Sequence, residues 1–362
     1  MDERNAWLAL SVCNGIGPAK LQKLLDYFGT AQIAWEAPIE ALKQSGIGPK
    51  MAGDFVIFRN KFDLAFYLKR LQKTEVWFIT REEENYPKLL KQIKNPPPVL
   101  YGKGNKGCLD ESLTRLAVVG TRKVTDYGRQ VTEFLVTDLV ASGCVIVSGL
   151  AMGVDAVAHQ ATLTANGKTI AVLGSGVDYC TPQENTRLYD QILAQGGLIL
   201  SETPLGQMPN KGSFPMRNRI IAGLSQGVLV TEGAEDSGSL ITAKDAIAEG
   251  RKVFAVPGPI TSSVSKGPIA LIGNGAKMVT SAKDILEELG MKNRDWGVKK
   301  KTIVGDTPEE QHIIDLLQNE NLSFDEIVRR AGLDSSKVGT LLSLMELKGV
   351  VKNLENSQFG LA

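Results

Sequence analysis

The chain has 362 residues, 43% of them hydrophobic, with 37 glycines, enough for one sizeable core and one or two small satellite domains. A formal net charge of +1 excludes a protein that grips nucleic acid by bulk electrostatics, so any polyanion site must be local. Four widely spaced cysteines (Cys13, Cys108, Cys144, Cys180) without a CxxC pair, and two histidines, exclude a convincing zinc cluster or disulfide framework, and no metal or other cofactor is expected.

The opening MDERNAWLALSVCNG is acidic and polar where a signal peptide needs positive charge and then an apolar run. No stretch approaches the apolar length of a membrane span, so the expectation is a soluble, cytoplasmic protein that does not engage membranes. Residues 1–75 read as short helices carrying a repeat, NGIGPAKLQKLL from Asn14 and SGIGPKMAGDF from Ser45. Each Gly-Ile-Gly-Pro makes a tight turn between helices, because glycine reaches backbone angles closed to other residues and proline suits a first helical turn. This is a helix-hairpin-helix (SAM-like) pattern. Its turn amides, aided by Lys20, Lys23 and Lys50, suit a DNA phosphate, but the same hairpin also serves purely as a packing unit, which is the reading preferred here.

A connecting stretch with the proline-rich NPPPVLYGKG follows, and then short β-branched runs alternate with helical segments: LAVVG, CVIVSG, TIAVLG, LILSE, GVLVTE and VFAVPG, from Leu116 to Gly258. Such continuous apolar runs mean strands buried on both faces of a parallel sheet. Between the first two, GRQVTEFLVTDLVASG sets Val131, Phe134, Leu135 and Leu139 on one helical face and ends at Gly143. Residues 76–291 therefore form a doubly wound, Rossmann-like α/β domain, its strand–helix alternation running over about 112–291. Residues 292–305 are charged and aperiodic and read as a linker. Residues 306–362 hold two capping boxes, Thr307 to Glu310 and Ser323 to Glu326, then a third helix from Ser336 and a short hairpin, a winged-helix pattern. With 5 basic and 10 acidic side chains from 305 onward, and only Lys337 and Lys348 on the third helix, this module suits a protein contact better than DNA.

In an open parallel sheet, ligands gather outside the carboxyl ends of the strands, where helix N-termini present unpaired amides. Three such ends combine small residues with hydroxyls: Gly120-Thr121-Arg122-Lys123, Ser148-Gly149-Leu150-Ala151, and Ser237-Gly238-Ser239-Leu240-Ile241-Thr242. A further segment, KGSFPMRNR, places Lys211, Phe214, Arg217, Asn218 and Arg219 together. Basic groups beside an aromatic are what single-stranded nucleic acid requires, phosphates pairing with cations while a base stacks on the ring. A mononucleotide needs one phosphate cradle, and three suit a run of phosphates.

Competing motifs are weaker. Gly167-Lys168-Thr169 resembles the end of a phosphate-binding loop, but the required earlier glycine is Thr162 and the string precedes a strand. Gly174-Ser175-Gly176 lacks the full dinucleotide pattern. His159 has no second ligand or acid–base partner at useful spacing and reads as packed. The rival function is enzymatic: Glu202 and Glu232 close two strands at the same edge, and a carboxylate beside a sugar could support N-glycosidic cleavage, as in nucleotide phosphoribohydrolases of related fold. The PGGxGT loop of those enzymes is absent; TEGAEDSGS stands in its place.

Five strings in order, VVGTRK, SGLAMGVDAVAH, FPMRNRIIAGLS, SGSLITA and FAVPG, resemble the DprA/Smf family of DNA-processing proteins, and the similarity spans essentially the whole chain. The resemblance implies an extended Rossmann fold, binding of single-stranded DNA, homodimerisation, and protection and loading of RecA recombinase onto incoming DNA during natural transformation, without enzymatic activity. It maps the family's DNA-binding strings onto Gly120, Thr121 and Arg122; Ser148, Gly149 and Ala151; Lys211, Phe214, Arg217 and Asn218; and Ser237, Gly238 and Thr242. It places the dimer contact near Ile269, Ile272 and Met278.

Overall fold

Six helices open the chain: α1 (Glu3–Val12), α2 (Pro18–Phe28), α3 (Ala31–Glu36), α4 (Ile39–Gln44), α5 (Pro49–Lys61) and α6 (Leu64–Lys73). The structure is a computed structural model that describes residues 1–210, 212–291, 305–318, 320–354 and 358–361. Both Gly-Ile-Gly-Pro strings turn one helix into the next, with Gly15, Gly46 and Gly48 at positive φ and prolines opening α2 and α5. Ile16 and Ile47 are buried at the turns. Trp35 collects Phe55, Phe58 and Phe62 around it in edge-on contacts that fill the helical core.

The expected boundary after residue 75 does not separate two cores. Tyr101, Leu173, Val177 and Ile199 share one apolar cluster with Leu8, Leu10 and Leu24. Ser11 Oγ and the fully buried Tyr101 hydroxyl lie 2.7 Å apart, and Arg70 pairs with Asp178 at 3.0 Å. The helices cover a sheet face that would otherwise be wet, so Met1–Gly297 is one compact unit and Val298–Ala362 another.

After α6 come β1 (Val76–Thr80), α7 (Lys88–Lys91), β2 (Val99–Gly104), β3 (Arg115–Val119), α8 (Asp126–Ala141), β4 (Val145–Ser148), α9 (Val154–Thr164), β5 (Thr169–Val172), α10 (Thr186–Ala194), β6 (Leu198–Ser201), α11 (Ser213–Leu224), β7 (Gly227–Val230), α12 (Gly238–Ala248), β8 (Lys252–Ala255), α13 (Lys266–Gly273), β9 (Lys277–Met278) and α14 (Ala282–Glu288). The sheet order is β1-β2-β6-β5-β4-β3-β7-β8-β9, parallel from β6 to β9. All six expected strands are present, and β3 is buried along its length, with Leu116 and Val118 in one core and Ala117 and Val119 in the other. The stretch read as a connector supplies β1 and β2, which pair antiparallel and extend the sheet beyond β6. Gly102 lets them close, since a Cβ there would lie 2.2 Å from the Trp77 ring. On α8 the buried face is Thr132, Leu135, Val136 and Leu139, whereas Phe134 is exposed, one step away from the expected register.

The second unit contains α15 (Pro308–Leu317), β10 (Leu322–Ser323), α16 (Phe324–Ala331), α17 (Ser335–Leu347), β11 (Val351–Leu354) and β12 (Gln358–Leu361), its sheet ordered β10-β12-β11. This is the winged-helix arrangement, with β10 added to the expected hairpin. Ser323 and Glu326 form the capping box. Thr307 caps α15, but Glu310 reaches back to the Asp306 amide instead of closing the box. The linker expected at 292–305 falls, up to 304, outside the described residues.

Candidate nucleic-acid interface

The chain steps outward from β3 through β4 and β5 to β6, then returns to lay β7 along the other side of β3. Crevices in open α/β sheets form at such a switch, beyond the strands' carboxyl ends. A cleft of about 290 Å³ lies there, lined by Gly120 and Arg122 after β3, Ala151 after β4, Phe214, Arg217 and Asn218 of α11, and Ser237, Gly238 and Thr242 at the start of α12. Segments separated by more than a hundred residues thus meet as the sequence strings require. Lys211 lies outside the described residues.

Arg122 and Phe214 form the open side of this cleft. Arg122 is exposed, Phe214 is half-buried, and the guanidinium sits 5.5 Å from the ring centroid. Gly238 is exposed, with nothing within 4 Å of a Cβ added there, so a ligand backbone can approach the start of α12. Ser237 caps that helix, accepting from the Ser239 amide at 3.4 Å, and Asn218 Nδ2 donates to the Gly238 carbonyl at 3.3 Å.

Several expected phosphate contacts prove to be spent inside the protein. Arg217 is 6% exposed and its Nη1 donates to the Gly149 carbonyl at 2.5 Å and the Val172 carbonyl at 2.8 Å, tying the ends of β4 and β5 together. Burial lowers its pKa while the facing Asp155 raises it. Asp155, also buried, accepts from the Gly149 amide at 3.1 Å and the Ala151 amide at 3.4 Å, so the second cradle is filled by a carboxylate of the protein itself. Burial pushes the Asp155 pKa up; Arg217 and the two amides hold it down. Ser148 is fully buried and donates to the Val118 carbonyl at 2.6 Å.

The glycines have a corresponding structural explanation. A Cβ on Gly149 would lie 1.7 Å from Arg217 Nη1, and one on Gly120 would lie 2.6 Å from Val154 Cγ2 and 2.7 Å from the Glu232 carbonyl oxygen. Internal packing by itself requires these two positions to be small. Thr121 is held likewise, its amide donating to the Glu232 carbonyl at 2.7 Å and its hydroxyl accepting from Lys123 N at 3.2 Å. Lys123 is exposed and faces a neighbouring groove instead of the cleft. The residue the strings concealed is Asp155; a carboxylate two residues into α9 reads locally as a first-turn acid, and nothing local shows that it faces Arg217.

The carboxylates of the enzymatic reading are also engaged. Glu202 pairs with Arg219, and although burial raises its pKa, that guanidinium opposes the rise. Glu232 accepts from the Thr125 amide at 3.0 Å and from the Thr125 hydroxyl at 2.5 Å, bracing the entry to α8. His159 is packed, its Nδ1 2.7 Å from Thr169 Oγ1, and burial pulls its pKa down to about 3.

A Rossmann-type sheet extended by an antiparallel pair, a cleft at its switch point and a separate winged helix define the class of α/β protein to which the chain belongs. Residues 77–290 match the family model for DNA recombination-mediator protein A, and 299–356 match that for the DprA winged helix domain. The chain belongs to this DprA/Smf family. It is 42% identical over 308 residues to "Protein Smf" of Synechocystis sp., covering 84% of this chain and 77% of that protein. It is 48% identical over 210 residues to the DNA processing protein DprA of Bacillus subtilis, covering 58% of this chain and 70% of that protein. Among solved structures it resembles DNA processing protein A from Streptococcus pneumoniae, with TM-score 0.70 and 38% identity over 80% of this chain and 99% of that one. It also resembles the Helicobacter pylori protein, described for its single-stranded DNA binding mode, with TM-score 0.54 and 34% identity over 60% of this chain and 97% of that one. DNA processing as a recombination mediator follows from this membership.

Proposed function

We propose that the cleft at the switch point binds single-stranded DNA, and that the protein acts as a binding factor, not an enzyme, which protects incoming strands and loads RecA recombinase onto them. The observation that carries this reading is Arg122 standing over Phe214 at the mouth of the cleft, a cation for phosphate beside a ring for an unpaired base. Duplex DNA, whose bases are stacked on each other, binds less well. The site differs from three open cradles: Arg217 and Asp155 build the floor, while Arg122, Phe214, Gly238 and the start of α12 meet the strand. Lys211, which the family resemblance counts among the DNA-binding residues, is assigned a further phosphate contact. A gel-shift series with single-stranded, duplex and mononucleotide ligands, run beside a nucleotide-hydrolysis assay, tests it; hydrolysis without strand binding would reverse the reading in favour of the phosphoribohydrolase.

Phe214→Ala is expected to remove about 1–3 kcal/mol of binding with little change in salt dependence, because a stacking contact is lost. Arg122→Ala is expected to reduce the slope of log affinity against log salt by about 0.7, the share of one single-strand phosphate. Titrations between 50 and 200 mM salt measure both, and unchanged affinity in both variants rejects this site.

Two further parts of the reading concern assembly. We infer a cytoplasmic homodimer formed across the open edge of the sheet at β9. Ile269 and Met278 are exposed there, whereas Ile272 is partly spent on its own core. Among the described residues no helix is long and apolar enough to cross a membrane. The winged helix serves a protein contact: Lys337 pairs with Glu309, and Lys348 with Asp306 and Glu310, so the two lysines on or beside α17 are already neutralised by carboxylates. Deleting residues 305–362 is expected to leave single-strand affinity within a few-fold of the full chain, and a loss on the order of tenfold or more in the same titration would assign DNA contact to that module.

A further inference from the structure

Arg122 lines a second cavity besides the cleft. This groove, of about 710 Å³, runs beside α8, α9 and α10 and carries Lys123, Arg129 and Arg187 together with Glu133 and Glu184. All four cations are exposed. Among the described residues no carboxylate stands within ion-pair distance of any of them, although Glu133 lies one helical turn beyond Arg129 on α8. Elsewhere in this unit Arg4, Arg70, Arg115 and Arg219 each have a carboxylate partner. A set of exposed cations without ion-pair partners among the described residues, gathered in a groove that shares Arg122 with the binding cleft, suits a polyanionic ligand.

We propose that this groove holds the phosphates of the nucleotides flanking those in the cleft, so that one single strand passes over Arg122 from one site to the other. The inference rests on the single-strand reading of the cleft. The charge of the described residues favours this groove over the other cavity bordering the cleft. A cavity of about 410 Å³ that shares Arg217 with the cleft lies between the first Gly-Ile-Gly-Pro turn and the ends of β5 and β6. Arg217, already bound to two carbonyls, is the single cation among the described residues lining it, and Glu202 lines it too. The lining also states what the groove reads. Among the described residues its lining holds no aromatic side chain, so bases find no stacking platform there, and the contact is made to the sugar–phosphate backbone. Binding there is therefore indifferent to base identity and strongly sensitive to salt.

The test compares wild type with Arg129→Ala/Arg187→Ala, two exposed positions whose loss spares the core, on poly-thymidine strands of about 6 and about 16 nucleotides. The shorter strand fills the cleft and the longer one reaches the groove. The double variant is expected to hold the short strand within twofold of wild type. It should lose on the order of tenfold on the long strand, with a salt slope shallower by about 1.4, the share of two phosphates. Arg129→Lys/Arg187→Lys should restore most of that slope, since charge rather than shape is required. Equal long-strand affinity in wild type and double variant overturns the inference while leaving the cleft reading intact, and so does an equal loss on both strands. A wild-type protein that holds neither strand sinks both.

Discussion

Arg217→Ala is expected to cost on the order of 3 kcal/mol of folding stability, read as a lower denaturant midpoint, rather than to act as a clean binding variant. The side chain is buried and its guanidinium bridges the Gly149 and Val172 carbonyls, which lie at the ends of neighbouring strands. Alanine leaves two buried acceptors without that donor. It also leaves the buried Asp155 carboxylate without its facing cation. Arg217→Lys recovers only part of the loss, because a single ammonium cannot reproduce the planar fork. Arg122→Ala is the contrast: an exposed side chain without an ion-pair partner among the described residues, whose removal changes stability by no more than about 0.5 kcal/mol while weakening strand binding. A wild-type midpoint in Arg217→Ala combined with lost affinity would show that the guanidinium contacts phosphate directly.

Gly153→Ala is expected to be comparably damaging, at about 3 kcal/mol, and to reduce strand affinity further than removal of Arg122 itself. Gly153 has φ of +80°, a conformation that L side chains avoid, and a Cβ there would lie 2.2 Å from the Thr121 carbonyl oxygen and 2.7 Å from the Arg122 carbonyl carbon. Those atoms are backbone and cannot swing aside. The same Thr121 oxygen accepts from the Val154 amide at 3.1 Å, so the loop that carries Arg122 is seated directly on the start of α9. Moving that loop takes Arg122 off Phe214 and away from both cavities that it lines. Gly238→Ala serves as the control, since a Cβ there meets nothing and stability should be unchanged. Denaturant midpoints for the pair, with strand titrations alongside, decide it; equal midpoints would mean that the α9 junction yields without cost.

The places where the sequence misleads share a cause with the places where it does not. A strand buried on both faces writes its environment into consecutive residues, so LAVVG, CVIVSG and the four runs after them announce a parallel sheet, and with it an edge where ligands gather. The Gly-Ile-Gly-Pro turns and the Ser323 capping box are equally local. β1 and β2 carry a weaker signal, because they lie beyond the parallel core and a proline run just before β2 mimics a connector.

Within the site, residue type alone does not distinguish Arg122 from Arg217, since both are arginines in glycine-rich or basic strings at the same edge. Distance decides, and the relevant distances join residues far apart in the chain: Arg217 to Gly149 and Val172, Asp155 to Arg217, Glu202 to Arg219. Sequence by itself determined the sheet and the family, and pointed to the edge proposed as the binding site. Which charges at that edge face solvent and which neutralise one another inside was decided only by folding, because pairing energy depends on separation in space and on burial, and neither is written in the neighbouring residues.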